Sequence, residues 1–129
     1  MEHLTEERRK IAKEIGNRLI SKFKQGVREI WLYGSVARGD DGIFSDIDIR
    51  CLTKPHSFLA KGYEDLRVRE EAYLLTNEAK KEGNKVVIEF QRHDEFYKLL
   101  EEAKKTKKPD KGLLWIMNIV NEGLLIYSS

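Results

Sequence analysis

The sequence predicts an α/β (α+β) domain in which a small mixed β-sheet is flanked by helices. Segments of helical periodicity alternate along the chain with short β-rich runs, the pattern of an α/β-type fold. No internal repeat, low-complexity tract or linker interrupts the 129 residues, so residues 1–129 read as a single domain. A chain of this length buries roughly two-thirds of the surface its unfolded form exposes, which is enough for a core without staples.

The elements follow in order. Leu4, Ile11, Ile15, Leu19 and Phe23 lie along one stripe of a helix, with Thr5 as a plausible cap and Glu6 and Glu7 suited to its positive end. Gly26 ends that pattern, and "VREIWLY" (27–33) is rich in β-branched and aromatic side chains, a strand. "DIDIRCL" (46–52) alternates strictly and Pro55 closes it. A long helix is expected from about Phe58 to Lys81, with apolar contacts from Leu66, Tyr73 and Leu74, broken by Gly83-Asn84. "KVVIEF" (85–90) is a third strand, followed by a short helix from about Glu95 to Lys105. "KKTKKPDKG" (104–112) reads as a solvated connection, and "LLWIMNIVNE" as a helix stopping at Gly123. That last helix is apolar on much of its circumference, which calls for a partner to cover it. "LLIYSS" is either a last strand or a frayed tail.

Composition narrows the function classes. The one cysteine, Cys51, cannot form an internal disulfide, and alternation puts it on the core face. No apolar run approaches the ~20 residues of a membrane span, and "MEHLTEERRK" is charged where a signal peptide would be apolar. The expectation is a soluble, cytoplasmic protein with no membrane association. Lys+Arg 24 against Asp+Glu 22 leaves a net charge of +2, so no global field points to nucleic acid. The lysines of 104–111 are the one run that could attract an acidic partner or nucleic acid, and a solvated loop is the simpler reading.

The chemistry concentrates in "GSVARGDDGIFSDID" (34–48). Residues i and i+2 of a strand share a face, so Asp46, Asp48 and Arg50 point one way while Ile47, Ile49 and Cys51 point into the core. Two carboxylates at ~4 Å repel by about 4 kcal/mol at an effective dielectric of ~20, a strain that a divalent cation relieves. Hard oxygen ligands suit Mg²⁺ or Mn²⁺. Gly34-Ser35 sits where the strand 27–33 must turn, where glycine lets backbone approach a phosphate closely. A helix starting at Ser35 would aim N–H groups and a hydroxyl at that anion, with Arg38 one turn on. Asp40 and Asp41 are simplest as turn residues, and Arg50 as a structural partner for the carboxylates. His3, His56 and His93 have no ligand-like spacing, and Trp31 and Trp115 sit in apolar runs as core residues.

Gly34-Ser35, ten residues, then Asp46-x-Asp48, with Arg38-Gly39 inside, resembles the signature of the DNA-polymerase-β-like nucleotidyltransferase superfamily, and at this length its minimal nucleotidyltransferases. Four fixed letters at this spacing arise by chance on the order of once in a thousand chains. The resemblance covers 27–91 and implies the polymerase-β-like nucleotidyltransferase fold. It gives nucleotide binding to Gly34 and Ser35 and two Mg²⁺ ions to Asp46 and Asp48, and Arg38, from its place one turn on, would join the nucleotide-binding group. A third acid from a later strand is usual, and Glu89 is the acid inside that strand, as metal ligand or as activator of the nucleophile. The resemblance further implies an NTP, ATP favoured, as donor. The acceptor would be a hydroxyl, such as a tyrosine of a HEPN-type toxin partner in a toxin–antitoxin system. Two rivals stay open: a non-catalytic binding and neutralising module, and a small-molecule (antibiotic) nucleotidyltransferase whose cleft is shared across a homo-oligomer.

Overall fold

The computed structural model describes residues 2–106 and 111–129. Helix α1 (Glu2–Phe23) leads through a short 3-10 turn into β1 (Val27–Tyr33). A single helical turn, α2 (Ser35–Arg38), and a loop connect β1 to β2 (Ile47–Thr53). Then come a 3-10 segment (Phe58–Glu64), α3 (Leu66–Lys81), β3 (Val86–Arg92), α4 (His93–Lys105), α5 (Lys111–Glu122) and β4 (Leu124–Ser128). The sheet is mixed, in the order β3-β2-β1-β4: β1 runs antiparallel to β2 and β4, while β2 and β3 are parallel.

Alternation divides the sheet into two faces, each covered by helices. Ile30 and Leu32 of β1, Ile47, Ile49 and Cys51 of β2, and Val86 and Ile88 of β3 pack against Ala12, Ile15, Leu19 and Phe23 of α1 and Val68, Leu75 and Ala79 of α3. Leu52, Trp31 and Tyr33 on the other face pack with Phe96, Leu100 and Ala103 of α4 and Ile116 and Ile119 of α5. Cys51 is fully buried, and its apolar surroundings push the thiol up to about 12, so it is an inert core residue as expected.

Four expectations are corrected. The helix of 58–81 is two elements, because Gly62 takes a positive φ of 56° and the Asp65 side chain accepts the N–H groups of Arg67 and Val68, restarting the helix as a cap. On α3 the core contacts come from Val68, Ala72, Leu75 and Ala79, whereas Leu66, Tyr73 and Leu74 are largely exposed. Thr5 lies inside α1 and donates its hydroxyl to Asp41, so it caps nothing. Asp41 is a buried anchor rather than a surface turn residue. The open choice for "LLIYSS" resolves as strand β4, paired with β1. Most of α5's apolar side is already covered inside the chain, by the sheet and α4, with Leu114 left exposed. Of the expected connection, 107–110 lie outside the described residues, Lys104 and Lys105 end α4, and Lys111 opens α5.

Candidate active site

The site is built where β1 ends beside β2. Tyr33 is the last β1 residue and lies opposite Asp48. The chain then turns at Gly34, with φ 80° and ψ −160°, a region open to glycine almost alone. The turn presses against the acid: a Cβ on Gly34 would stand 2.6 Å from Oδ2 of Asp48. Gly34 takes the capping position of α2 and Ser35 is its first residue. N–H groups of a helix's first turn have no intrahelical acceptor, so those following Gly34 are available to an anion. Gly39, at φ 84°, ends the turn, its N–H donating to Ser35 O.

Two arginines that sequence reasoning passed over fix this loop from α1. Arg9 donates from Nε to Val36 O at 3.1 Å and from Nη2 to Ala37 O at 2.9 Å. Arg8 pairs with buried Asp41 at 2.7 Å and reaches the carbonyls of Gly42 and Ile43 at 2.6 and 3.0 Å. Burial opposes ionisation of Asp41, but hydrogen bonds from Thr5 and Arg8 outweigh it and hold the carboxyl below its ordinary value. The only sequence signal was Arg8-Arg9 on a helix whose opposite side is core, and that does not distinguish a buried arginine from a solvated one.

Asp46, just ahead of β2, and Asp48, within it, share a face as alternation required, and Lys85 lies 3.7 Å from Asp46. Burial pushes the Asp48 carboxyl up to about 6, the charges of Asp46 and Glu89 add to this, and Lys85 and Arg38 act the other way. Lys85 and Arg38 thus offset only part of the burial and repulsion that Asp48 meets. Hard oxygen donors in that condition fit a divalent cation such as Mg²⁺.

Glu89 is placed differently. In the parallel ladder it lies beside Arg50, while the residue beside Asp48 is Val87. Its carboxylate bonds to Arg50 Nη2. Arg50 also donates to Gln91 Oε1 at 2.9 Å, and its guanidinium lies 4.6 Å over Trp115 and 5.7 Å from the Tyr33 ring. Arg50 is thus a partner for Glu89 and not for the aspartate pair. Among the described residues no three His, Cys, Asp or Glu side chains converge in metal-binding geometry. Arg38 is exposed at the end of α2 and pairs with Asp40 at 3.2 Å and Glu122 at 3.4 Å. His93 is engaged with Glu29, which also accepts from Tyr97 and Trp31.

The nucleotidyltransferase domain family matches residues 12–124, nearly the whole chain, and the protein belongs to that family. Over 47 residues, 36% of the chain, it is 45% identical to an aminoglycoside nucleotidyltransferase (4′) of Staphylococcus aureus, with the same figures for one from Bacillus sp.. That stretch is 19% of either relative, so the match covers a small part of those proteins. Two solved structures share the fold. A toxin–antitoxin crystal structure with AMP-PNP has a TM-score of 0.51 at 17% identity, over 91% of this chain and 73% of that one. A mutant of the toxin–antitoxin MntA-HpeT has a TM-score of 0.52 at 16% identity over the same shares. The expected polymerase-β-like minimal nucleotidyltransferase fold is borne out.

Proposed function

We propose that the protein transfers a nucleoside monophosphate, AMP, from an NTP to a hydroxyl acceptor in a Mg²⁺-dependent reaction. The acceptor oxygen forms a bond to the α-phosphorus, the bond to pyrophosphate breaks, and the acceptor's proton passes to solvent water. The observation that carries this reading is the close packing of Gly34 on Asp48, which joins a glycine turn at a helix start to a pair of acids whose charges are only partly offset. Asp46 and Asp48, with Glu89 as the third acid, would hold two Mg²⁺ or Mn²⁺ ions. When bound, such ions neutralise charge on the leaving pyrophosphate and lower the acceptor's pKa.

The chain's own groups do the positioning, the larger part of phosphoryl-transfer catalysis. Gly34 brings backbone close to the triphosphate, and the Ser35 hydroxyl and first-turn N–H groups of α2 bind its distal phosphates. Arg38, already exposed, exchanges its surface carboxylate partners for phosphate oxygen. Arg8 and Arg9 keep the loop from drifting.

The acceptor we propose is a tyrosine hydroxyl on a separate, HEPN-type helical protein, which makes this cytoplasmic chain the antitoxin of a pair. The toxin–antitoxin neighbours, one with AMP-PNP, support the partner protein and the nucleotide of this reading. A second reading, a hydroxyl of an aminoglycoside-like small molecule, draws on the 45% identical segment. Incubation with each α-labelled NTP, Mg²⁺, and either the protein encoded beside this one or an aminoglycoside decides between them. Label on protein supports the first acceptor, label on the small molecule the second. Pyrophosphate release in neither mixture leaves a binding module instead of a transferase.

A further inference from the structure

Arg50 sits in an unusually complete cage. Its guanidinium is stacked on Trp115, approached by Tyr33, tied to Gln91 and bonded to Glu89, and its side chain is only 13% exposed. Its Nε is buried without a hydrogen-bond partner. A cation stacked on an indole and forked between two acceptors has little freedom to move. Glu89, at 44% exposure, is the less confined member of the pair.

The parallel register makes this pairing consequential. Asp48 stands beside Val87, whose side chain offers no oxygen or nitrogen, and Glu89 is one strand repeat further along, beside Arg50. Two residues of rise and one interstrand step put the Cα atoms of Asp48 and Glu89 about 8 Å apart, diagonal rather than side by side, and the Glu89 carboxylate is engaged with Arg50. A guanidinium and a cation at the aspartates therefore compete for one carboxylate.

We infer that Arg50 is a positioning residue that holds Glu89 out of the Asp46–Asp48 pair, so that the free protein takes one divalent cation on the two aspartates and a second only when Glu89 leaves Arg50. The inference rests on the reading of Asp46 and Asp48 as cation ligands. It assigns the third acid two positions, one beside Arg50 at rest and one at the second ion.

Mn²⁺ binding to the full chain without nucleotide tests it, with bound ions counted from the loss of the free-ion paramagnetic resonance signal. The expected result is one ion for the wild type, with affinity changed less than twofold by Glu89→Gln. Arg50→Met should bind a second ion, or the first at least tenfold more tightly, and Arg50→Met/Glu89→Gln should return to the wild-type pattern. A tenfold loss in Glu89→Gln would overturn the inference, since Glu89 would already be a ligand. So would an unchanged Arg50→Met, or a gain that persists in the double variant, which would be the removed charge acting alone. Should Arg50→Met fail to fold by its thermal melt, Arg50→Lys, which keeps the charge but loses the fork, reads the same comparison. Asp48→Asn separates the two levels: unaltered Mn²⁺ binding there sinks the reading of the aspartate pair itself, whereas lost binding alongside an unchanged Arg50 variant sinks only the role of Arg50.

Discussion

Gly34 packs so closely on Asp48 that a Cβ added to it would lie 2.6 Å from the carboxylate's Oδ2. The turn proposed to approach phosphate and the acid proposed to hold metal are packed together in the free chain. Gly34→Ala meets two penalties, the positive φ of 80° and the clash, so a loss of about 2–4 kcal/mol of stability is expected from backbone strain plus overpacking. Chemical denaturation measures it. Repeating the substitution in an Asp48→Ala background should recover the steric share alone, and full additivity would show that the two residues do not touch in solution.

Asp48→Asn should make the metal-free protein more stable while abolishing transfer. The folded carboxyl lies at about 6 against an ordinary 3.8, because burial, then Asp46, then Glu89 disfavour its charge. The folded state thus binds this proton more tightly than the unfolded one, so the destabilisation is fully present above pH 6 and fades as pH falls toward 4. Allowing for solvent screening, about 1–2 kcal/mol is at stake near pH 7, or a melting temperature about 5 °C higher in the variant. The gap between variant and wild type in EDTA should close by pH 4. Pyrophosphate release with Mg²⁺ and acceptor should drop at least ~100-fold.

Removing the anchor beneath the loop should cost more than removing any surface pair. Asp41→Ala leaves Arg8 buried without its carboxylate, a loss of about 3–5 kcal/mol. Because the folded Asp41 carboxyl lies below its ordinary value, its contribution is present at neutral pH and is lost only as pH falls below 3.8 toward the depressed value. Urea melts at pH 7 and pH 3 should show the wild type and variant converging at the acid end.

Arg38→Ala should weaken NTP binding about tenfold and leave AMP binding unchanged if, as proposed, its guanidinium serves the distal phosphates. Its pairs with Asp40 and Glu122 are exposed and worth little, so the melting temperature should move by no more than about 2 °C. Equal losses for NTP and AMP by calorimetry would mark Arg38 as structural.

Chelation supplies the last test. Triphosphate oxygens and the Asp46–Asp48 pair repel without a cation between them, so NTP affinity should fall at least tenfold in EDTA and return with Mg²⁺ or Mn²⁺. Equal affinity in both conditions would mean that the nucleotide does not bridge to the aspartates.

The sequence alone determined whatever depends on neighbours a few residues apart. Alternation in "DIDIRC" set Asp46, Asp48 and Arg50 on one face because a strand's side-chain period is two, and the structure keeps that division. Gly34-Ser35 marked the turn because the positive φ there suits glycine. The start of α3 was locally written too, in Gly62 and the Asp65 cap, but the helical reading begun at Phe58 ran through it.

Tertiary structure decided what depends on partners far along the chain. Whether Glu89 would stand beside Asp48 or beside Arg50 is a question of register between β2 and β3, and a slide of two residues preserves every face assignment. Periodicity is blind to such a slide. Arg8 and Asp41 are 33 residues apart, and each reads as an ordinary surface charge until α1 packs under the loop and removes water from both. Burying a charge is tolerable only with its partner in place, and that partner is chosen by packing rather than by the local chain.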